Sequence, residues 1–285
     1  MATQEIKTAP AKKAAPAKKK QGFQGIESAI WIIIACIVIA ALVYKFIYGN
    51  PNHFVGGNPD GEVLDGNLLG TVYKGGVIVP LIQGLFLTVL AISIERWFAL
   101  RTAFGKGSIQ KFVENVKEAL KKGDLETCNK LCDKQRGSVA NVVGATLKKY
   151  KECEEDHKMK KEQKIISIRQ ELEEATALEM PTLQMNLPII AAISSLGTLF
   201  GLLGTVTGMI KSFAALASGG GADSVALSTG ISEALVNTAC GIATGALAII
   251  TYNYFTNKID HLTFALDEIG FSIVNTYAAT HIEEA

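Results

Sequence analysis

The sequence predicts an all-α, polytopic membrane protein with four transmembrane helices and a helical domain outside the bilayer. Three observations predict it. Of the 285 residues, 48 % are hydrophobic, and the mean hydropathy is positive. Charges avoid four windows: residues 29–48 (interrupted only by Lys45), residues 75–94, a run of 31 between Glu179 and Lys211, and a run of 24 between Glu233 and Lys258. A helix needs about 20 residues to cross the hydrocarbon, so each window is long enough. Finally, no region alternates polar and apolar residues as a half-buried strand would.

The elements follow in order. Residues 1–27, rich in Lys, Ala and Pro, cannot bury a core and are expected to be a disordered tail. It is read as a solvated segment that fixes topology rather than as an arm for nucleic acid. The first span, 28–48, is followed by no clear small-residue cleavage site, so it is expected to be retained. A loop at 49–74, full of turn formers, leads to the second span at 75–97, which closes on Glu95-Arg96-Trp97. Residues 98–186 read as a helical domain. Within it, Ile109, Phe112, Val113, Val116 and Leu120 share one helix face, and Gly123 is a stop signal. Two short amphipathic helices are expected over 125–137 and 138–152. A long helix near 158–180 is expected to run directly into the third span, 187–217. A loop at 218–228, the fourth span at 229–257 and a C-terminal helix at 258–285 complete the chain.

Orientation follows from the basic residues. Residues 1–26 hold six lysines and the segment from Arg96 to Asn186 holds 18 Lys and Arg. The 49–76 loop holds Lys74 alone, and 212–232 holds none. The positive-inside rule then places both termini and the 98–186 domain in the cytoplasm. Five cysteines, two of them in apolar windows, do not form a disulfide framework, and a reduced state is expected.

Two spans carry polar stripes. With Glu233 at zero and about 100° per residue, Asn237 falls near 40°, Cys240 near −20°, Thr244 near 20° and Thr251 near zero. On the third span Ser194, Thr198, Thr205 and Ser212 share one face, and beside it run Gly197, Gly201, Gly204 and Gly208. Gly241 and Gly245 repeat the glycine device on the fourth span. Glycines so spaced let helix backbones approach closely in lipid. Hydroxyls in spans also bond their own carbonyls, so packing alone is an open alternative. Glu233 is a functional candidate because an ionisable group in a span is costly. The alternative for it is a capping or snorkelling position at the membrane edge. No span holds the dense set of acids and bases of a self-sufficient pump, which suggests that a partner supplies the titrating group.

These residues carry a resemblance. "GLLGTVTGMIKSFAAL" with "ALSTGISEALVNTACGIATGALAIITYNYF" resembles the paired core helices of the MotA/TolQ/ExbB proton-channel family, in its ExbB/TolQ branch. "PLIQGLFLTVLAISIERW" and "GDLETCNKLCDKQRGSVANVV" are similar to the helix before its cytoplasmic domain and to helices within that domain. The resemblance spans roughly residues 70–270. It implies a homopentamer in the bacterial inner membrane around an ExbD-like single-span partner that supplies the proton-binding aspartate. Energy would then pass to a TonB-like protein for outer-membrane transport. It also implies pore threonines at Thr205 and Thr238 and the patterned glutamate at Glu233; Thr198, Asn237 and Thr244 join the candidate path from the polar stripes. Thr238 lies about 140° from Glu233 on an ideal helix, so one of the two is expected to face elsewhere. The extra first span departs from the three-span pattern.

Other chemistry is not expected. Cys128/Cys132 with Cys153/His157 has a loosely metal-like spacing, but the first pair also fits an apolar helix face, and no metal or cofactor is expected. "FGKGS" lacks the upstream glycine of a phosphate loop. No Ser/His/Asp or paired-carboxylate set suggests an enzyme. A TolQ-like role in envelope integrity and a non-conducting scaffold are the rival readings.

Overall fold

The computed structural model describes residues 29–59, 61–218 and 224–280. The tail at 1–27, the middle of the 218–228 loop and residues 281–285 lie outside the described residues. Among those described there is no strand, only an isolated bridge between Phe54 and Val63. The helices are α1 (Ala29–Val43), α2 (Leu68–Tyr73), α3 (Ile78–Phe104), α4 (Ile109–Lys121), α5 (Leu125–Gln135), α6 (Gly137–Glu155), α7 (Lys161–Gln184), α8 (Leu187–Ser218) and α9 (Ser224–Thr280). Among the described residues four helical stretches are long and apolar enough to cross a membrane: Ala29–Tyr48 and parts of those that begin at Ile78, Lys161 and Ala226. The chain is an all-α polytopic membrane protein.

α1 ends in a single π-turn over Tyr44–Tyr48. It buries Cys36 and Ala40 and leaves Ile30, Trp31, Val38, Ile39 and Leu42 exposed, the surface expected of a helix apolar on all sides and solvated by lipid. Its contact with α3 is close. A Cβ on Gly84 would lie 2.8 Å from Ile37 Cγ1. The segment after α1 folds back on itself: Tyr44 stacks on Tyr73 with ring centroids 4.8 Å apart and donates its hydroxyl to the Tyr73 carbonyl at 2.8 Å. Asn67 caps α2 by accepting from the Leu69 and Gly70 amides at 3.1 Å.

Beyond the spans, α4, α5, α6, α7 and α9 share one core. Phe112, Val113, Val116 and Leu120 of α4 are buried with Cys128, Val143 and Leu147, against Leu262, Leu266 and Ile269 of α9. The apolar face of α4 points inward, and its helix ends at Lys121, with Gly123 beyond it at φ 71°. Tyr277 is fully buried, meets Tyr150 edge to face at 4.7 Å and donates to the Cys153 carbonyl at 3.4 Å.

α9 is one unbroken helix of 57 residues without proline, about 85 Å long, and so exceeds any membrane span. It serves both the apolar bundle and the outlying core. The α7–α8 junction differs from the continuous helix that the sequence suggests. Met185 is extended and Asn186 adopts φ 64°, so α7 stops and α8 restarts without a connecting loop. The cause is local: Asn tolerates the left-handed conformation that ends helices, and Pro188 removes a backbone donor where only the start of a helix can spare it.

Candidate functional site

α8 and α9 meet along a seam of small residues. A Cβ on Gly241 would stand 2.6 Å from the Gly197 carbonyl oxygen and 2.7 Å from Gly201 Cα. A Cβ on Gly197 would stand 3.2 Å from Gly245 N and Thr244 Cβ, and one on Gly201 3.1 Å from the Asn237 carbonyl oxygen and 3.4 Å from Thr238 Cα; Gly204 lies against the Asn237 side chain, and Gly208 against the Gly230 carbonyl. Side chains larger than hydrogen would hold the two backbones apart, so the six glycines singled out in the sequence set the helix separation. Gly230, which the stripe pattern omits, belongs with them: its Cβ would collide with Ser212 Oγ at 2.2 Å.

The close seam places Thr205 and Thr238 in direct hydroxyl contact. Each is half-buried, and each also donates within its own helix, Thr205 to the Gly201 carbonyl at 3.2 Å and Thr238 to the Ala234 carbonyl at 3.0 Å. Two hydroxyl protons thus face three hydrogen bonds, and only two can form at once. Thr198, on the same face of α8, is exposed and bonds its own helix at the Ser194 carbonyl, 3.4 Å away.

Glu233, Asn237 and Thr244 of α9 turn the other way, into the protein. Glu233 is 6 % exposed and takes two bonds from Lys211 Nζ, at 2.7 and 2.9 Å. Asn237 is fully buried and donates from Nδ2 to the Gly75 carbonyl at 2.7 Å, while its Oδ1 has no partner. Thr244 is buried against Gly197 and donates to the Cys240 carbonyl at 2.8 Å. The 140° separation of Thr238 from Glu233 therefore divides α9 into two polar faces. The structure brings Thr205 and Thr238 together and joins neither to the Glu233, Asn237, Thr244 stripe.

Two clusters escaped the reading of the sequence. Lys211 ends an uncharged window, and its pairing across 22 residues leaves no local signal. At the other end of the bundle, Arg96 is fully buried beside Glu95. Its Nε donates to Glu95 Oε2 at 2.6 Å, a second guanidinium nitrogen binds Oε1, and a third donates to the Thr182 carbonyl at 3.2 Å. Asn186 Nδ2 reaches the same carboxylate at 3.4 Å. The Glu-Arg end of the second span thereby holds the α7–α8 break.

Among the described residues no three of His, Cys, Asp or Glu come close enough to hold a metal ion. Cys128 and Cys132 are buried thiols of the outlying core. Burial, reinforced by nearby acidic groups, pushes Cys128 up to about 11 and Cys132 up to about 12, so neither behaves as a thiolate ligand or nucleophile at neutral pH.

Fold and site together define a polytopic helical membrane protein whose two central helices meet at a glycine seam and share a hydroxyl pair. Residues 139–268, a little under half of the chain, match the MotA/TolQ/ExbB proton channel family. Among its relatives, a putative biopolymer transport protein ExbB homolog of Methanothermobacter thermautotrophicus is 27 % identical over 199 residues, 68 % of this chain and 66 % of the relative. The Tol-Pal system protein TolQ of Pseudomonas aeruginosa is 26 % identical over 213 residues, 70 % of this chain and 88 % of that protein. The biopolymer transport protein ExbB of Salmonella typhimurium is 29 % identical over 85 residues, 30 % of this chain and 35 % of that protein.

Proposed function

We propose that the chain is a motor subunit of the bacterial inner membrane that converts the proton-motive force into mechanical work. It would do so as a homopentamer around an ExbD-like single-span partner whose aspartate takes and releases the proton. Both termini and the α4–α7 domain would lie in the cytoplasm, and the 49–74 loop in the periplasm, in keeping with the charge bias. A TonB-like protein would carry the energy to outer-membrane transporters.

The observation that carries this reading is the Thr205–Thr238 pair. Its two hydroxyl protons cannot satisfy three bonds, so it can re-pair with a third group at little cost. A partner carboxylate beside it would find a donor when ionised and an acceptor when protonated. α9 then links the pair to the outlying core as one continuous helix.

A TolQ-like role in envelope integrity is the second reading, favoured by the match that covers 88 % of a TolQ protein. Deleting the gene separates them: loss of uptake through outer-membrane transporters supports the first, detergent sensitivity the second. Thr205→Val and Thr238→Val keep shape and remove the hydroxyl. Each is expected to abolish the energised function while the oligomer still assembles in the membrane. Full function in both variants refutes the hydroxyl path, and function insensitive to a protonophore refutes the motor in favour of a scaffold.

A further inference from the structure

An ionised pair lies at the Gly75 end of the spans and stands apart from the hydroxyl pair. Both oxygens of Glu233 are taken by the Lys211 ammonium, at 2.7 and 2.9 Å. The carboxylate is the enclosed member, at 8 % side-chain exposure, and Lys211, at 59 %, reaches in from the surface. Backbone forms the opposite wall. Gly76 holds φ 73°, and a Cβ there would stand 2.4 Å from Glu233 Oε1, so the carboxylate lies directly on the link between α2 and α3. One turn along α9, Asn237 Nδ2 donates to the carbonyl of the neighbouring Gly75 at 2.7 Å. Two side chains of α9 thus meet a two-glycine link, and one of α8 holds the first of them.

We propose that Glu233 is the enclosed counter-ion of Lys211 and, with Asn237, a latch that fixes α8 and α9 to the Gly75–Gly76 link, and that it carries no transported proton. A proton carrier has to meet a donor and an acceptor in turn. Glu233 has both oxygens committed to one cation and is turned about 140° around α9 from Thr238. An acid in a span normally marks an ion path. Here the positive partner lies within the same chain and removes that need. The latch stands on the contacts alone; the statement about the proton rests on the motor reading above.

The test is a double-mutant cycle in the full-length protein: E233Q, K211M and the E233Q/K211M double, with K211R as the conservative variant. Removing one member of an enclosed pair leaves the other charge unmatched, whereas removing both lifts that penalty. Each single variant is expected to lower the melting midpoint in detergent, the double to regain most of the loss, and K211R to match the parent. Protonophore-sensitive activity is expected to fall in E233Q and return in the double. Additive midpoints overturn the latch. Coupled midpoints with a double that stays inactive overturn the statement that Glu233 carries no proton. If E233Q fails to accumulate, accumulation of the double is itself the rescue, and its absence overturns the latch. A parent without protonophore-sensitive activity sinks the motor reading, and the midpoint coupling then decides the latch alone.

Discussion

Gly241→Ala tests the seam on which the hydroxyl pair depends. The new methyl would stand 2.6 Å from the Gly197 oxygen, 2.7 Å from Gly201 Cα and 3.0 Å from the Gly201 nitrogen, against an ordinary contact of 3.4 Å or more. All three obstacles are backbone of α8, so no rotamer relieves the clash. The helices have to part by about 0.8 Å, a gap at which neighbouring contacts lose a quarter to a half of their dispersion attraction. Overpacking of this kind costs about 1–3 kcal/mol. The thermal midpoint of the purified protein in detergent, followed by circular dichroism, is expected to fall accordingly. Function is expected to drop further, because the same displacement pulls Thr205 from Thr238. Gly144→Ala is the control: α6 leaves its Cβ position empty within 4 Å, so relief of glycine's backbone entropy makes that change neutral or stabilising. An unchanged midpoint in Gly241→Ala, or an equal fall in the control, refutes the account of the seam.

The buried pair at the α7–α8 break gives a second test. Arg96→Met removes the cation beside the buried Glu95 and frees the Thr182 carbonyl, which is expected to cost about 3–5 kcal/mol, whereas E95Q/R96M regains most of it; equal midpoints for the single and double variants would refute this. The cysteines give a third. A raised thiol value in the folded chain adds stability that is complete below the unfolded value and is lost as pH rises through the folded one. For Cys128 and Cys132 that window runs from the ordinary thiol range up to about 11 and about 12. Mass spectrometry after iodoacetamide treatment near pH 8 is expected to find both unmodified in the native protein and alkylated once unfolded; equal labelling in the two states would rule out the protected thiols.

Much of this architecture is legible because a membrane imposes a length and a polarity on its helices. The apolar windows could be read from charge alone, and the stripes followed from 100° per residue. The 140° offset between Glu233 and Thr238 already implied two faces. Which face meets which neighbour is not a local property. Lys211 reads as the end of a window until the fold sets it against a residue 22 positions on, and Glu95-Arg96 reads as the close of the second span until Thr182 and Asn186 bond to it. The break at Asn186 was hidden for another reason. Periodicity runs on through a single residue at φ 64°, and only the nearby Pro188 hinted that α8 begins afresh.

α9 divides its labour around its axis. On the buried side its polar groups have fixed partners: Glu233 meets Lys211, Asn237 Nδ2 donates to Gly75 and Thr244 to Cys240, with Asn237 Oδ1 alone unpaired among them. Enclosed polar groups with fixed partners hold a single arrangement, so this face docks the helix. On the other side Thr238 shares with Thr205 more hydrogen-bonding options than protons, so several arrangements lie close in energy. A helix with one fixed face and one undecided face yields at the undecided one. Glu268, paired with Lys117 at the surface of the outlying domain, lies 30 residues beyond Thr238, about 45 Å along the same unbroken helix. Under the proposed motor function, a change of partner at the hydroxyls would reach that domain as movement of a rod, since α9 runs unbroken between them.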